Sequence, residues 1–303
     1  MSRALYDGIA IGVLVLYALL AWSAEGGARG APLDPVWAEV QRRGTLRVAT
    51  DVGFRPFAFE EHGELTGYDI ELARAIAAAL GVTVEFVPTG FDGLYDTLVS
   101  GRADMIASAL PYAPEQGFRA RFSHFYFDVG QVLVAPAGAP VAGMADLRGR
   151  VVGVALGADA DALARRMLRE GADFRLRPDY DDPAAALADL RAGRLDAVIT
   201  DTVTALEATR GRADLRIVAA LTSEPLALAF PRPAFRLEAE VNRILDALRR
   251  DGAFARLNER WFGMGAAAAP GGMEKPGFPT PLPSDLGPLP QALQKLYTNL
   301  KRA

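Results

Sequence analysis

The chain has no cysteine, which excludes disulfides, thiolate metal sites, a cysteine nucleophile and a lipid-modified N-terminal cysteine. It has only two histidines, His62 and His124, too few for a His-rich metal centre. An excess of positive charge is missing as well. Basic residues number 33 and acidic ones 37, so nothing in the balance suits a phosphate backbone, and nucleic acid is not an expected partner. Lysine is confined to Lys275, Lys295 and Lys301, and every other basic residue is Arg. With the abundant Ala and Gly this reads as base composition of the gene, and no function follows from it. Neither a metal nor a cofactor is expected.

What is present is apolar mass. Half of the 303 residues are hydrophobic, enough for a large core, and the length suits two compact domains better than one. One uncharged stretch runs from Gly8 to Ala24, follows Arg3 and has a strongly apolar centre, Ile9-Ala-Ile-Gly-Val-Leu-Val-Leu. Residues 1–32 therefore read as an export signal or membrane anchor plus linker. The apolar run sits at the short end of the roughly 17–25 residues that span a bilayer, and the small-residue exits after it are mediocre cleavage sites. Either way the body is expected outside the cytoplasmic membrane, in the periplasm or on the membrane's outer face, where this segment, if retained, would tether it.

From Thr45 onward strand-like and helix-like stretches alternate. Leu46–Thr50 reads as a strand, and Asp69–Leu80 as a helix capped by Asp69 and stopped at Gly81. Strands are expected at Val82–Val87, Asp104–Ser108 and Gln131–Ala135, a helix at Gly93–Ser100 and a helical turn opening at Pro114. A second unit repeats the theme with strand Val151–Ala155, helices Asp159–Arg169 and Pro183–Ala192, and strand Asp196–Thr200. Strand Leu226–Phe230 and a long helix from about Phe235 to Arg250 then read as a return to the first unit. Such alternation predicts mostly parallel sheets with helices on both faces. Two crossings, near Asp128–Pro136 and Ser223–Phe230, would form a hinge. The expected division is 40–130 and 226–265 for one lobe, 131–225 for the other, and 266–303 for a Pro-rich linker and tail. The tail ends in Leu293, Leu296, Tyr297 and Leu300, which share one helix face. That face suits folding back onto the body or docking a partner.

Several runs, in order, carry a resemblance. They are Gly44-Thr-Leu-Arg-Val-Ala-Thr-Asp51 with Phe54-Arg-Pro-Phe57, Gly67-Tyr-Asp-Ile-Glu-Leu-Ala-Arg-Ala-Ile76, and Phe91-Asp-Gly-Leu94 with Leu98-Val-Ser-Gly-Arg-Ala-Asp104. Phe122-Ser123, Leu147-Arg-Gly-Arg-Val-Val-Gly-Val154, Gly193-Arg-Leu-Asp-Ala-Val198 with Asp201, and Asp251-Gly with Trp261-Phe262 complete the set. Each run is weak alone; together they make the stretch from Gly44 to Gly265 resemble the extracytoplasmic solute-binding proteins of polar amino-acid ABC transporters, family 3. The resemblance implies an α/β, two-lobed periplasmic-binding-protein fold of type II, with a ligand cleft between the lobes and two hinge crossings.

It also implies a pocket, and there the match breaks. The family's Arg that grips a ligand carboxylate, a bidentate donor, corresponds to Gln116. A Ser that assists it is replaced by Pro111, and a Ser/Thr of the second lobe by Ala158-Asp159. Positions that do match the family's pocket are Asp51, Phe54, Phe91, Ser108 and Asp201, with Tyr112 as an addition. Asp201 falls where the ligand's ammonium group is received, and Phe54 and Phe91 where aromatics sandwich its side chain. Carboxylates with aromatic faces and no matched Arg favour a neutral or cationic ligand, with cation–π contacts of roughly 0.5–2 kcal/mol each. Each residue also has a structural alternative. Asp159 and Asp201 would serve as helix caps, the Phe rings as plain core, and Gln116 as a surface residue while Arg119 or Arg121 swings in.

The function expected is capture of a small polar, amino-acid-like ligand and its delivery to the permease of an ABC importer, by a monomer without catalysis. Two other readings stand beside it. One is a periplasmic cyclohexadienyl dehydratase-like enzyme on the same scaffold, which would need a general acid in the cleft. The other is a sensor or accessory binding module.

Overall fold

The computed structural model describes residues 34–263. The expected export segment and the Pro-rich tail lie outside the described residues. Among those described, no helix is long and apolar enough to cross a membrane.

The chain opens with α1 (Pro35–Arg43), β1 (Thr45–Thr50), a hairpin of β2 (Phe59–Glu61) and β3 (Glu64–Thr66), and α2 (Tyr68–Leu80). It continues through β4 (Thr83–Pro88), α3 (Leu94–Val99), β5 (Met105–Ile106) and β6 (Ala120–Asp128). The second series is β7 (Gln131–Pro136), β8 (Val151–Ala155), α4 (Asp159–Arg169), β9 (Arg175–Tyr180), α5 (Pro183–Arg191), β10 (Ala197–Asp201), α6 (Thr202–Thr209) and β11 (Leu215–Ala220). Finally β12 (Pro225–Pro231), α7 (Phe235–Arg250) and α8 (Ala253–Phe262) follow.

Two five-stranded sheets result, in the orders β4-β1-β5-β12-β6 and β11-β7-β10-β8-β9. In the first, β4, β1 and β5 run parallel and β12 is antiparallel to both β5 and β6. The second repeats that plan, with β9, β8 and β10 parallel and β7 antiparallel to both β10 and β11. Four of the five strands in each sheet thus run the same way, as the alternation predicts, and one strand, β12 in the first and β7 in the second, runs against them at the side where the chain crosses over. The two lobes of an α/β fold follow directly, with β12 returning the chain to the first sheet.

Local chemistry explains the anchoring of the first lobe. Asp34 caps α1 by accepting the Trp37 N–H at 2.8 Å, while its other oxygen accepts the Arg236 and Leu237 N–H groups opening α7. One carboxylate thereby serves two helix starts, each with a positive dipole end. The buried rings of Phe57, Tyr68, Phe127 and Phe262 join the β1–β2 loop, α2, β6 and α8, with Phe127 and Phe262 stacked at 4.7 Å. Burying each ring contributes roughly 1.5–3 kcal/mol, and tilted or edge-on pairing adds to it.

α2 departs from the expected capping. Its N-cap is Gly67, which makes no side-chain cap. Gly67 sits at φ +132°, and a Cβ there would lie 2.1 Å from the Phe57 carbonyl oxygen, so only glycine fits. Asp69 lies inside the first turn and is fully buried, accepting the Ala109 N–H. Ala109 has φ +43°, a backbone state costly for a residue with a side chain, which Asp69 holds in place. Burial pushes the Asp69 carboxyl up to about 7, against the opposing effect of that hydrogen bond.

Candidate functional site

In both lobes the residues singled out from sequence stand at the carboxyl ends of parallel strands, the end at which open α/β sheets place ligands. In the first lobe β1 delivers Asp51 and Phe54, β4 delivers Phe91, and β5 delivers Ser108. The buried Ser108 hydroxyl oxygen accepts the Asp51 N–H at 2.9 Å, tying the ends of β1 and β5 together. Phe54 is 52% exposed and Phe91 48% exposed, so neither ring is plain core. Phe54 nonetheless stacks on the buried Phe57 at 5.5 Å and 17°, a support that holds the exposed face in one orientation.

In the second lobe Asp159 and Asp201 line one hollow of about 150 Å³, together with Gln131, Ala158, Pro183 and Thr200. Asp201 is the N-cap of α6: one oxygen accepts the Thr204 N–H at 2.8 Å and the other lies 3.4 Å from the Thr200 hydroxyl. Asp159 is not a cap; the cap position of α4 is Ala158, which makes no side-chain bond. Asp159 stands exposed in the first turn. Its negative charge there suits the helix dipole.

Two residues near these strand ends escaped the sequence reading. Leu156, directly after β8, is largely exposed, and its amide is fixed by the Tyr180 carbonyl at 2.9 Å. Glu224 lies on the second crossing. Burial, then the charges of Asp159 and Asp128, hold its carboxyl above the usual range. Leu156 carried a signal, an apolar residue between a strand and a helix start. Glu224 carried none, because its neighbours come from three separate stretches of chain.

The remaining candidates turn inward. The half-buried Tyr112 ring packs on Phe122 and Phe125 at 5.2 and 5.1 Å, and its N–H donates to the Pro225 carbonyl, so packing on the first-lobe core fixes its orientation. Gln116 lies in the one-turn helix Pro114–Phe118 with its side-chain oxygen buried and unpaired among the described residues. Arg119 and Arg121, expected as possible substitutes for Gln116, are each engaged elsewhere. Arg119 pairs with Asp96 and lines a groove of about 690 Å³ with Val99, Phe118 and Pro233, at the opposite end of the first sheet. Arg121 pairs with Glu238 and lies over the Phe235 ring.

Electrostatically, Asp51, Asp159, Asp201 and Glu224 form no ion pair with a basic side chain among the described residues. Unpaired carboxylates beside exposed aromatic faces can hold a cation and repel an anion.

The sequence profile of bacterial extracellular solute-binding proteins, family 3, matches residues 46–264. An L-cystine-binding protein of Escherichia coli strain K12 is 33% identical over 230 residues, covering 74% of this chain and 85% of that protein. Among solved structures, the unliganded, open L-cystine solute receptor of Neisseria gonorrhoeae is 27% identical, with a TM-score of 0.68 over 76% of this chain and 98% of that one. An ancestral cationic amino-acid solute-binding protein is 33% identical, with a TM-score of 0.59 over 75% of this chain and 99% of that one.

Proposed function

The chain belongs to the bacterial extracellular solute-binding proteins, family 3, and from that premise we propose that its cleft takes an amino-acid-like ligand that is neutral overall or cationic, for delivery to the permease of an ABC importer. The observation that carries the charge preference is the set of four carboxylates, Asp51, Asp159, Asp201 and Glu224, without a basic partner beside exposed Phe54 and Phe91. Asp201 receives the ligand's ammonium group, Phe54 and Phe91 enclose its side chain, Ser108 offers a polar contact, and Asp159 with Glu224 adds negative potential. L-cystine, named for the Escherichia coli and gonococcal proteins, and cationic amino acids, named for the ancestral one, both satisfy these charges.

Capture and release require no bond chemistry. Open lobes expose the cleft, and the ligand gains contacts from both lobes only when they close. That differential affinity shifts the population toward the closed form. The N-terminal apolar segment would keep the protein near its transporter at the membrane's outer face.

A thermal-shift screen of the purified protein tests the reading, since a ligand bound only by the folded state raises the melting temperature. The panel holds L-cystine, L-arginine, polyamines, betaines, L-glutamate and dicarboxylates. Stabilisation by zwitterionic or cationic amines and not by acids is expected; stabilisation by L-glutamate or a dicarboxylate instead would overturn the charge argument.

A further inference from the structure

The chain passes between the sheets twice, at 129–130 and at 221–224, and one buried side chain holds both passages. Asp128, the last residue of β6, accepts the Gly130 N–H at 2.8 Å from its own crossing. From the other crossing it accepts the Glu224 N–H at 2.8 Å and the Ser223 hydroxyl at 2.6 Å. No basic side chain neutralises it among the described residues; its charge rests on these donors. The crossings are laced further by Val129 N–H to the Glu224 carbonyl at 3.0 Å and Gln131 N–H to the Thr222 hydroxyl at 2.8 Å. They approach so closely that a Cβ on Gly130 would lie 2.3 Å from the Thr222 carbonyl oxygen. Regular pairing breaks on either side of this laced segment, between Ile217 and Ala219 in β11 and between Leu226 and Ala229 in β12.

We propose that Asp128 clasps the two crossings into one unit and is the positioning residue of the hinge, so that lobe motion bends the irregular stretches of β11 and β12 while Asp128, Gly130, Ser223 and Glu224 move together. The clasp limits the range of open geometries and fixes the chain position from which Glu224 faces Asp159. The inference rests on the two-lobe closure proposed above.

The absence of cysteine makes the test clean. Ala78 on α2 and Ala188 on α5 are exposed, one on each lobe; both are changed to cysteine in the full chain and spin-labelled, and the inter-label distance distribution is measured without ligand. In the Asp128→Ala background the distribution is expected to broaden, and the Gly130 and Glu224 amides to exchange about tenfold faster or more, as loss of a charge-assisted acceptor implies. Ser223→Ala, which removes one donor and leaves Asp128, gives a smaller change in the same direction. Gly130→Ala shifts the distribution by forcing the crossings apart. Melting temperature is followed for each variant. A lower melting temperature with unchanged distances and exchange in both Asp128→Ala and Ser223→Ala would reduce Asp128 to ordinary packing and overturn the proposal. If Asp128→Ala does not fold, Asp128→Asn, Ser223→Ala and Gly130→Ala carry the same comparison, and unchanged distances in all three overturn it. Because no ligand is present, a failed clasp leaves the binding reading intact, and a failed ligand screen leaves the distances standing.

Discussion

Asp201 serves structure with one oxygen and faces the hollow beside Asp159, so the two roles separate by substitution. Asp201→Ala removes the N-cap bond to Thr204, a loss of about 1 kcal/mol, which lowers the melting temperature by about 2–4 °C in a domain of this size. It also removes the carboxylate. Asp201→Asn keeps an acceptor for the Thr204 N–H, and Asn caps about as well as Asp, so stability should stay within a few tenths of a kcal/mol. The charge is gone in both. A hydrogen bond from a ligand ammonium to a desolvated carboxylate is worth about 1.5–3 kcal/mol, so both variants should bind the screen's tightest amine about tenfold to a hundredfold more weakly. Urea unfolding without ligand reads the cap, and titration calorimetry reads the charge. Unchanged affinity in Asp201→Asn would refute the assignment and leave Asp201 a cap alone; loss of stability in Asp201→Asn equal to that in Asp201→Ala would refute the cap.

Asp69 predicts a pH dependence with a definite sign. Its carboxyl stands at about 7 in the folded protein against an ordinary 3.8. Above pH 4 the unfolded chain therefore releases this proton while the folded chain keeps it, and stability falls until the pH passes about 7. Asp69→Asn keeps an acceptor toward the Ala109 amide and removes the titration, so the urea midpoint of the unmodified protein should fall relative to the variant between pH 4 and 7; parallel profiles would contradict the buried-acid account. Gly67→Ala should cost several kcal/mol or prevent folding, read by circular dichroism and melting temperature, because both its φ of +132° and the Phe57 carbonyl exclude a side chain. A stable, soluble Gly67→Ala protein would contradict it.

The parts of the fold that were legible are those whose burial is periodic. α4 and α7 match their expected spans residue for residue, since each carries a strong apolar stripe against polar residues. β6 escaped because Arg121, Ser123 and His124 interrupt its apolar run, and their partners lie far along the chain: Glu238 for Arg121, the Leu228 amide for Ser123 and Asn242 for the His124 amide. β9 and β11 are outer strands of their sheet, and Arg175, Arg177, Asp179 and Arg216 give them the charged character that edges carry. Asp69 reads locally as a cap, and only the loop at Ala109 shows why its carboxyl is buried instead. The strand ends that carry Asp51, Phe54, Phe91, Ser108, Asp159 and Asp201 were legible, and ligand contact at them is the proposal that the binding tests address. Glu224 was not legible, because its position depends on the meeting of two crossings at Asp128.

The ligand can be gripped at its ammonium end or at its carboxylate end. Titration calorimetry of the tightest amino acid of the panel, beside its methyl ester and its N-acetyl derivative, addresses that directly. With Asp201 on the ammonium and Gln116 in place of a guanidinium anchor, the ester should bind within about tenfold of the parent, while acetylation, by removing the charge, should weaken binding by about a hundredfold. A tightly bound N-acetyl derivative together with a lost ester would show that the carboxylate is the gripped end and contradict the account.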